Sequence, residues 1–311
     1  MSNKNGKNAN KTISTIISII ILLVIAIFGG DNILNSFTAK SQEIDGANVQ
    51  GLENVIVQTG EDCISKIDVN EDVLRVYYFD VGQADSILIV NNGQSMLIDA
   101  GKRESGDVVV NNLKTIGIEK IDYLVGTHPH EDHIGGMAKV VGNFDIGTIF
   151  MPKTPHTSAT YEKLIDEIAN KKKKITVPKV GQTFKVGNAD CEIMSIEDNK
   201  DNFNLCSIVI RMEYEGTSYL FTGDAEEENE SARSWPQTNV LKAGHHGSRT
   251  SSSQKFLDQV KPNLIIISCG ANNDYGHPHA ETMEKFKKLN ATIYRTDESG
   301  NILVIQQKNN N

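Results

Sequence analysis

From residue 73 onward, short apolar runs alternate with segments of helical period. Residues 73–80 (VLRVYYFD), 86–90 (SILIV) and 95–99 (SMLID) read as strands, being β-branched and aromatic runs bounded by turn residues. A turn at Gly82 joins the first two. Asn91-Asn92-Gly93 between the last two signals a hairpin. Residues 107–116 predict a helix closed at Gly117, and 121–126 a strand running straight into His128. A helix at 134–141, a strand at 146–151 and a helix at 161–170 follow. The second half predicts strands at 184–186, 191–196, 206–214, 218–222 and 240–243, then a helix at 252–260. A strand at 263–269, a helix at 280–289 and strands at 292–295 and 301–306 finish it. Strands in series with helices between them, in each half, predict two sheets packed face to face with helices outside.

The N-terminal pattern is different. Residues 12–28 (TISTIISIIILLVIAIF) carry no charge and follow Lys4, Lys7 and Lys11. As a helix they span only ~25 Å, and Gly29 and Gly30 bring the run near the lower limit for a membrane crossing. The run is apolar on every face, which argues against a core helix. Two readings compete. A signal peptide needs small residues at a cleavage site, but Phe28 stands just before Gly29-Gly30 and Phe37 two positions before Ala39. An uncleaved anchor over 12–30 is therefore preferred to a secreted form. The lysines place residues 1–11 in the cytoplasm and the body outside the membrane. Residues 31–70 are polar, acidic and without sustained period, and read as a linker. Residues 71–306 read as the folded body and 307–311 as a tail.

Composition bounds the function. The chain has 311 residues, 39% hydrophobic and 23% charged, which excludes collagen-like, coiled-coil and disordered classes. The formal net charge is −9, distributed as +3 over residues 1–30, −5 over 31–70 and −7 over the remainder. An acidic body argues against a general polyanion binder working by counterion release alone. It leaves room for an enzyme that holds one phosphate through a metal ion. None of the four cysteines forms a C-x-x-C pair, and Cys191 and Cys269 read as buried free thiols on strands. The basic run 171–174 reads as a solvated helix end, with contact to an anionic polymer as its alternative.

The strongest chemical signal is His128-Pro129-His130-Glu131-Asp132-His133 at the end of an apolar strand. Three of the chain's eight histidines fall within six residues. A loop there can point His128 and His130 at one ion while Asp132 and His133 reach a second. Histidine and carboxylate ligands suit zinc, manganese or iron. Asp224, following the strand at 218–222 and Gly223, can bridge two cations. His245-His246 follow another short strand, where one imidazole can ligate and the other face substrate.

His128–His133 fits the H-x-H-x-D-H signature, and the chain resembles the metallo-β-lactamase superfamily. More narrowly, FDVGQAD (79–85), LIDAG (97–101), THPHEDHIGG (127–136), LFTGDAEEE (220–228), LKAGHHGS (241–248) and YGHPH (275–279) resemble the extracellular metallo-β-lactamase domain of ComEC-type DNA-uptake channels. The match runs from about residue 73 to 306, without the channel helices. The resemblance implies an αββα sandwich, with Asp99 hydrogen-bonding a ligand histidine and Asp224 as the bridging acid. It places the last ligand in the histidine pair, where His246 is preferred as ligand and His245 as the residue facing substrate. It also implies two divalent ions, zinc or manganese. The histidine that most of the superfamily supplies between the first motif and the bridging acid has no counterpart. Its slot falls at 201–207, where the subgroup's N-x-x-S pattern appears as Asn204 and Ser207, both candidates to contact substrate. The ion at His128 and His130 is therefore expected to be the weaker, with Cys206 a candidate substitute and His156 a surface histidine.

A dinuclear centre lowers the pKa of bound water to near 7 and clamps an oxyanion. The expected nucleophile is thus a metal-bound hydroxide oriented by Asp132. His277 and His279 are candidates to bind phosphate or protonate the leaving group. Ser248, Thr250 and Ser251, ahead of a helix, are candidates to cradle an anion. The leading expectation is an extracytoplasmic phosphodiesterase or nuclease acting on DNA or another phosphodiester polymer. A phosphorylcholine-esterase-like hydrolase of wall polymers is the alternative. A non-enzymatic metal-binding surface module is a third reading, disfavoured because structural zinc sites are closed by four protein ligands.

Overall fold

The computed structural model describes residues 46–308. The expected anchor over 12–30 and the tail from residue 309 lie outside the described residues. No helix among the described residues is long and apolar enough to cross a membrane.

Strands β1 (Ala47–Asn48), β2 (Val55–Thr59), β3 (Leu74–Tyr78), β4 (Ile87–Asn91), β5 (Gln94–Ile98), β6 (Lys120–Val125), β7 (Asp145–Phe150) and β8 (Ile175–Thr176) build the first sheet. The second contains β9 (Thr183–Val186), β10 (Ala189–Ser195), β11 (Val209–Tyr214), β12 (Thr217–Phe221), β13 (Val240–Lys242), β14 (Leu264–Ile267) and β15 (Thr292–Arg295). The last strand, β16 (Ile302–Gln306), returns to the first sheet. The orders are β1-β2-β16-β3-β4-β5-β6-β7-β8 and β15-β14-β13-β12-β11-β10-β9. Each sheet is antiparallel at one end and parallel at the other, with β5 to β8 and β12 to β15 parallel.

Parallel neighbours need crossovers, and these carry the helices. In the first half they are α1 (Gly106–Ile116), α2 (Glu131–Ile134), α3 (Met137–Asn143) and α4 (Ala159–Asn170). In the second they are α5 (Glu227–Ser231), α6 (Gln254–Val260) and α7 (Ala280–Lys287). Side-chain alternation explains why the central strands are apolar throughout. Leu264 and Ile266 of β14 join Val76, Ile89 and Ile210 between the sheets. Ile265 and Ile267 pack outward with Phe256 of α6 and Phe286 of α7. The hairpin at residues 91–93 joins β4 to β5 with left-handed φ at Asn92 and Gly93, as a type I′ turn requires.

Three expectations are corrected. Residues 46–70 are not linker, because β2 pairs along its whole length with β16, and Val55, Val57 and Cys63 are buried. A chain begun at residue 71 would leave β16, paired then only with β3, as an exposed edge of the sheet. The helix expected at 134–141 begins at Met137. A separate turn, α2, precedes it because Gly135 and Gly136 lie against the loop after β5. A Cβ on Gly136 would stand 2.1 Å from the Ala100 carbonyl oxygen. The strand expected from 206 begins at Val209, since Asn202 caps a 3-10 turn over Phe203–Cys206. The basic run behaves as a helix end. Lys171 donates to the Gly142 carbonyl, and Lys173 pairs with Asp145 at 2.9 Å.

Candidate metal centre

Every candidate ligand follows the carboxyl end of a parallel strand. Asp99 follows β5 and His128 lies beyond β6, while Asp224 and His245-His246 lie beyond β12 and β13. Backbone hydrogen bonds tie these loops together. The Asp85 amide donates to the Asp132 carbonyl (3.1 Å), Ala100 to His133 (2.8 Å), Ile208 to Thr127 (3.0 Å) and His245 to Gly223 (3.1 Å).

Asp132, His133, Asp224 and His246 bring one ligand atom each to within 4.8 Å of one another. Asp224 Oδ1 lies 3.3 Å from His133 Nε2 and 3.6 Å from His246 Nε2, and Asp132 Oδ2 lies 3.4 Å from His246 Nε2. His133 Nε2, His246 Nε2 and Asp224 Oδ1 are buried and make no hydrogen bond. A buried polar atom without a partner costs about 1–3 kcal/mol. Three converging on one point fit a cation. The electrostatics agree. Burial opposes charge on His246, but Asp224 and then Asp85 outweigh it and lift the imidazole to about 10. His133 is likewise held well above its ordinary value, with Asp224 and Asp99 overcoming burial. Asp224 is held well below the usual carboxylate range, where His133 and His246 overcome its burial.

The other oxygen of Asp224 faces a second set of nitrogens. Oδ2 lies 3.8 Å from His128 Nε2 and 3.6 Å from His245 Nε2. His130 Nδ1 lies 3.0 Å from His128 Nε2. Asp224 thus stands between two imidazole groups, and the clusters on its two sides could hold two metal ions.

Buried partners aim these ligands. Asp99 accepts from His133 Nδ1 and from the Thr127 hydroxyl, both at 2.7 Å, and from the Thr127 amide at 2.8 Å. His133 therefore turns Nε2 to the centre. His246 Nδ1 donates to the Ser268 carbonyl at 2.9 Å and lies 3.4 Å from Asp85 Oδ1. Asp85 Oδ2 pairs at 2.7 Å with Lys242, which also donates to the Ala243 carbonyl. Glu226 holds His245 from behind, 3.3 Å from Nδ1. Asn202, Asn204 and Thr250 donate to the same carboxylate.

The remaining predicted residues divide. Gln83, Tyr275, His277, Asn204 and His245 line a cavity of about 350 Å³ together with the candidate ligands His130, Asp132, Asp224 and His246. His277 is inside it, but His279 is not among the lining residues. Its Nδ1 accepts from the Arg249 amide at 3.0 Å, because His279 sits at the N-terminal cap of α7. Ser248 is buried and its hydroxyl is shared with Thr250, while Ser251 donates to the Ala225 carbonyl. The anion cradle expected there is thus used up inside the loop, and Ser253 caps α6. Ser207 is fully buried beneath the ligands, accepting from the Asp224 amide at 3.1 Å and lying 3.5 Å from His128 Nδ1. It therefore faces the ligands' backs and not the cavity. Cys206 is committed to the Asn199 carbonyl at 3.0 Å and lies outside the ligand clusters. His156 is not a free surface residue, for its ring packs edge-on against Phe203 and toward His130. All four cysteines are free and buried.

Sequence reasoning missed Gln83, Asp85, Lys242, Glu226 and Tyr275. Each lies within a motif that was quoted, but nothing in the string says which side chains face the ligands. Gln83 has a defined task. Its Oε1 accepts from the Gly270 amide at 3.1 Å, so Nε2 donates to His277 Nδ1 at 3.3 Å. The remaining proton of His277 is then on Nε2. Burial, reinforced by His245 and His246, holds His277 down at about 4, so the ring is neutral at pH 7.

A shared carboxylate between two imidazole clusters, at the carboxyl ends of two stacked mixed sheets, defines a metal-dependent hydrolase class of αββα architecture. The family model described as the metallo-beta-lactamase superfamily matches residues 79–270, and the chain belongs to that superfamily. It is 30% identical over 251 residues to ComE operon protein 3 of Bacillus subtilis, covering 73% of this chain and 32% of that protein. It is 30% identical to Recombination protein 2 of Haemophilus influenzae (74% of this chain, 28% of that protein). It is 28% identical to Competence protein ComA of Neisseria gonorrhoeae (75% and 32%). The chain thus spans about a third of the length of the curated relatives it matches. Among solved structures, the metallo-beta-lactamase fold protein YhfI of Bacillus subtilis aligns with a TM-score of 0.50 at 12% identity, over 74% of this chain and 99% of YhfI. That likeness supports the fold alone.

Proposed function

We propose that this protein is a metal-dependent phosphodiesterase that cleaves nucleic acid on the outer side of the membrane. The observation that carries the reading is the convergence of unpartnered ligand atoms on Asp224 beneath an open cavity. Relatives named for competence and recombination favour nucleic acid as the polymer. The uncharged segment 12–28 after three lysines supports the location. Divalent ions, zinc or manganese, held by Asp132, His133, Asp224 and His246 and by His128 and His130, would supply an activated water and counter-charge for a phosphate oxygen. The rest is done by side chains. Asp132, 25% exposed at its side chain against 2% for Asp224, is the more open of the two carboxylate ligands that line the cavity, where it can accept a hydrogen bond from the attacking water and orient it. His277, neutral and protonated at Nε2, donates a hydrogen bond to a phosphate or leaving-group oxygen. Asn204 can add a further polar contact at the rim. The test is the full chain, loaded with manganese or zinc, on single-stranded DNA, duplex DNA, a nitrophenyl phosphodiester and a choline phosphoester. Cleavage of a DNA strand that EDTA abolishes is expected. Turnover of the choline ester alone would replace this reading by the wall-polymer one.

A further inference from the structure

Tyr275 is a large aromatic side chain held open beside the candidate centre. It is 64% exposed in a molecule whose other tyrosines are largely covered, and it lines the cavity above Asp132 and His246. Its ring lies over that of His277, with centroids 5.6 Å apart and planes 23° from parallel. The loop beneath it is pinned. The Asn273 side chain donates to the Gly270 carbonyl at 2.8 Å and accepts from the Tyr275 and His277 amides at 3.2 and 3.0 Å. Left-handed φ at Asn272 and Gly276 lets the chain double back on either side. The ring is thus presented with one face on His277 and the other toward solvent at the mouth of the cavity.

Charge sharpens the question of what meets that face. Neither Lys nor Arg lines the cavity, while Glu131 and Asp132 do. A polyanion cannot be drawn in there by cationic side chains, so affinity for the flanking nucleotides has to come from another source. Every nucleobase has a π-face, and base–aromatic stacking needs no cation. It does need an unpaired base. A second aromatic pair lies on the other flank, where Phe203 packs edge-on against His156 and His130.

We propose that Tyr275 is a stacking platform for an unpaired nucleobase next to the scissile phosphodiester, making single-stranded nucleic acid the preferred substrate. This rests on the phosphodiesterase reading above and names its substrate class. Stacked on Tyr275, the base would place its adjoining phosphate over the metal ligands. A duplex would have to unstack first.

The test compares wild type, Tyr275→Ala and Tyr275→Phe in the full chain loaded with manganese. The probes are a single-stranded oligonucleotide, the same strand with abasic sites, the matched duplex, a nitrophenyl phosphodiester and a choline phosphoester. Turnover and strand binding by fluorescence anisotropy are both read. Tyr275→Ala is expected to raise KM and Kd for the base-bearing strand about 5- to 100-fold, the scale of one lost stack, with kcat little changed. Tyr275→Phe should stay within about twofold, and the abasic strand should not distinguish the three proteins. Equal losses on abasic and base-bearing strands would overturn the platform and leave Tyr275 as a packing partner of His277. A loss confined to the choline ester would overturn it in favour of a cation–π seat. A wild type that cleaves the nitrophenyl diester but neither binds nor cleaves any strand would overturn the nucleic-acid reading itself. Unchanged metal content in the variants shows that the centre below is intact.

Discussion

Lys242→Met tests the buried pair that stands behind the candidate ligand His246. Lys242 is 0% exposed and Asp85 1%. Their Nζ–Oδ2 distance is 2.7 Å. Burial pushes the Asp85 carboxyl toward neutrality, but Lys242, followed by His246, outweighs it and holds the group down at about 2. Methionine keeps most of the lysine stem and removes the charge. Asp85 would then be left with His246 Nδ1 at 3.4 Å, an atom already committed to the Ser268 carbonyl at 2.9 Å. Removing one member of a buried pair costs about 3–5 kcal/mol, because the other charge is stranded. At roughly 2–4 °C per kcal/mol for a domain of this size, the melting temperature should fall by roughly 6–20 °C. Lys242→Met/Asp85→Asn removes both charges and should regain most of the loss, with a coupling of at least about 2 kcal/mol in the double-mutant cycle. Denaturant unfolding of the four proteins, metal-free at pH 7, measures it. The pH dependence has a definite sign. The folded pKa of Asp85 lies below its unfolded value, so its stabilisation is present above about pH 4 and is lost as pH falls through about 2. Losses that simply add, or a single variant within about 1 kcal/mol of wild type, would refute the argument that the pair is a charged unit.

Titration calorimetry should find one tight ion and one weaker. His246→Ala should abolish the tight one, while His128→Ala should weaken the other and leave the first intact. Two equally tight ions in the wild type would contradict this. Asp132→Ala should lower turnover by orders of magnitude with little change in far-UV circular dichroism. His277→Ala should lower it equally on a nitrophenyl ester and on a strand with an alkoxide leaving group, since a ring titrating near 4 holds no spare proton at pH 7. A loss confined to the alkoxide substrate would make His277 a general acid, on the scale of about 10²–10⁴. Burial pushes the thiols of Cys63, Cys191 and Cys269 up to about 11, 12 and 12. These three should react with Ellman's reagent at pH 8 only after unfolding. Because their folded pKa values exceed the unfolded ones, their contribution is full below about pH 8.5 and declines as pH rises toward 11–12. Rapid labelling of the native protein would count against the burial.

How much of this could be read from the string differs by level. The strands were legible because most are buried on both faces, so β4 opens on the apolar run ILIV and β14 is LIII throughout. The edge was not. Val55–Thr59 reads VIVQT, with only two residues fully buried, and its acidic surroundings hid it in what looked like linker. What makes it a strand is β16, nearly 250 residues away, and a single sequence carries no mark of that pairing. The candidate metal ligands were legible for the opposite reason. Their chemistry is rare and their spacing local, so three histidines and an acid in one loop need no tertiary information. Ser207, Ser248 and His279 were misplaced because each lies within three residues of a cavity-lining side chain, Asn204, His246 and His277 respectively, and turns away from the cavity in space. Lys242 and Asp85 were missed because neither has a meaning without the other.

The histidine pair marks the limit most clearly. Adjacent residues on an extended strand point to opposite faces, and on a helix about 100° apart, so neither geometry sends two neighbouring rings to the two oxygens of one carboxylate. Here both residues are left-handed, His245 at φ 48° and His246 at φ 53°, followed by Gly247 at φ 81°. Non-glycine residues pay of order 1–3 kcal/mol each for a sparsely populated backbone region and persist in it only when the surroundings over-determine them. The surroundings here do. The His245 amide is bound by the Gly223 carbonyl, Glu226 holds its ring from one side, and Ser268 and Asp85 hold His246 from the other. The result is His245 on Oδ2 of Asp224 and His246 on Oδ1. A pair of letters that reads as one ligand and one residue facing substrate is thereby made into two arms around a single acid. The strain needed to hold them there is visible only in the backbone angles.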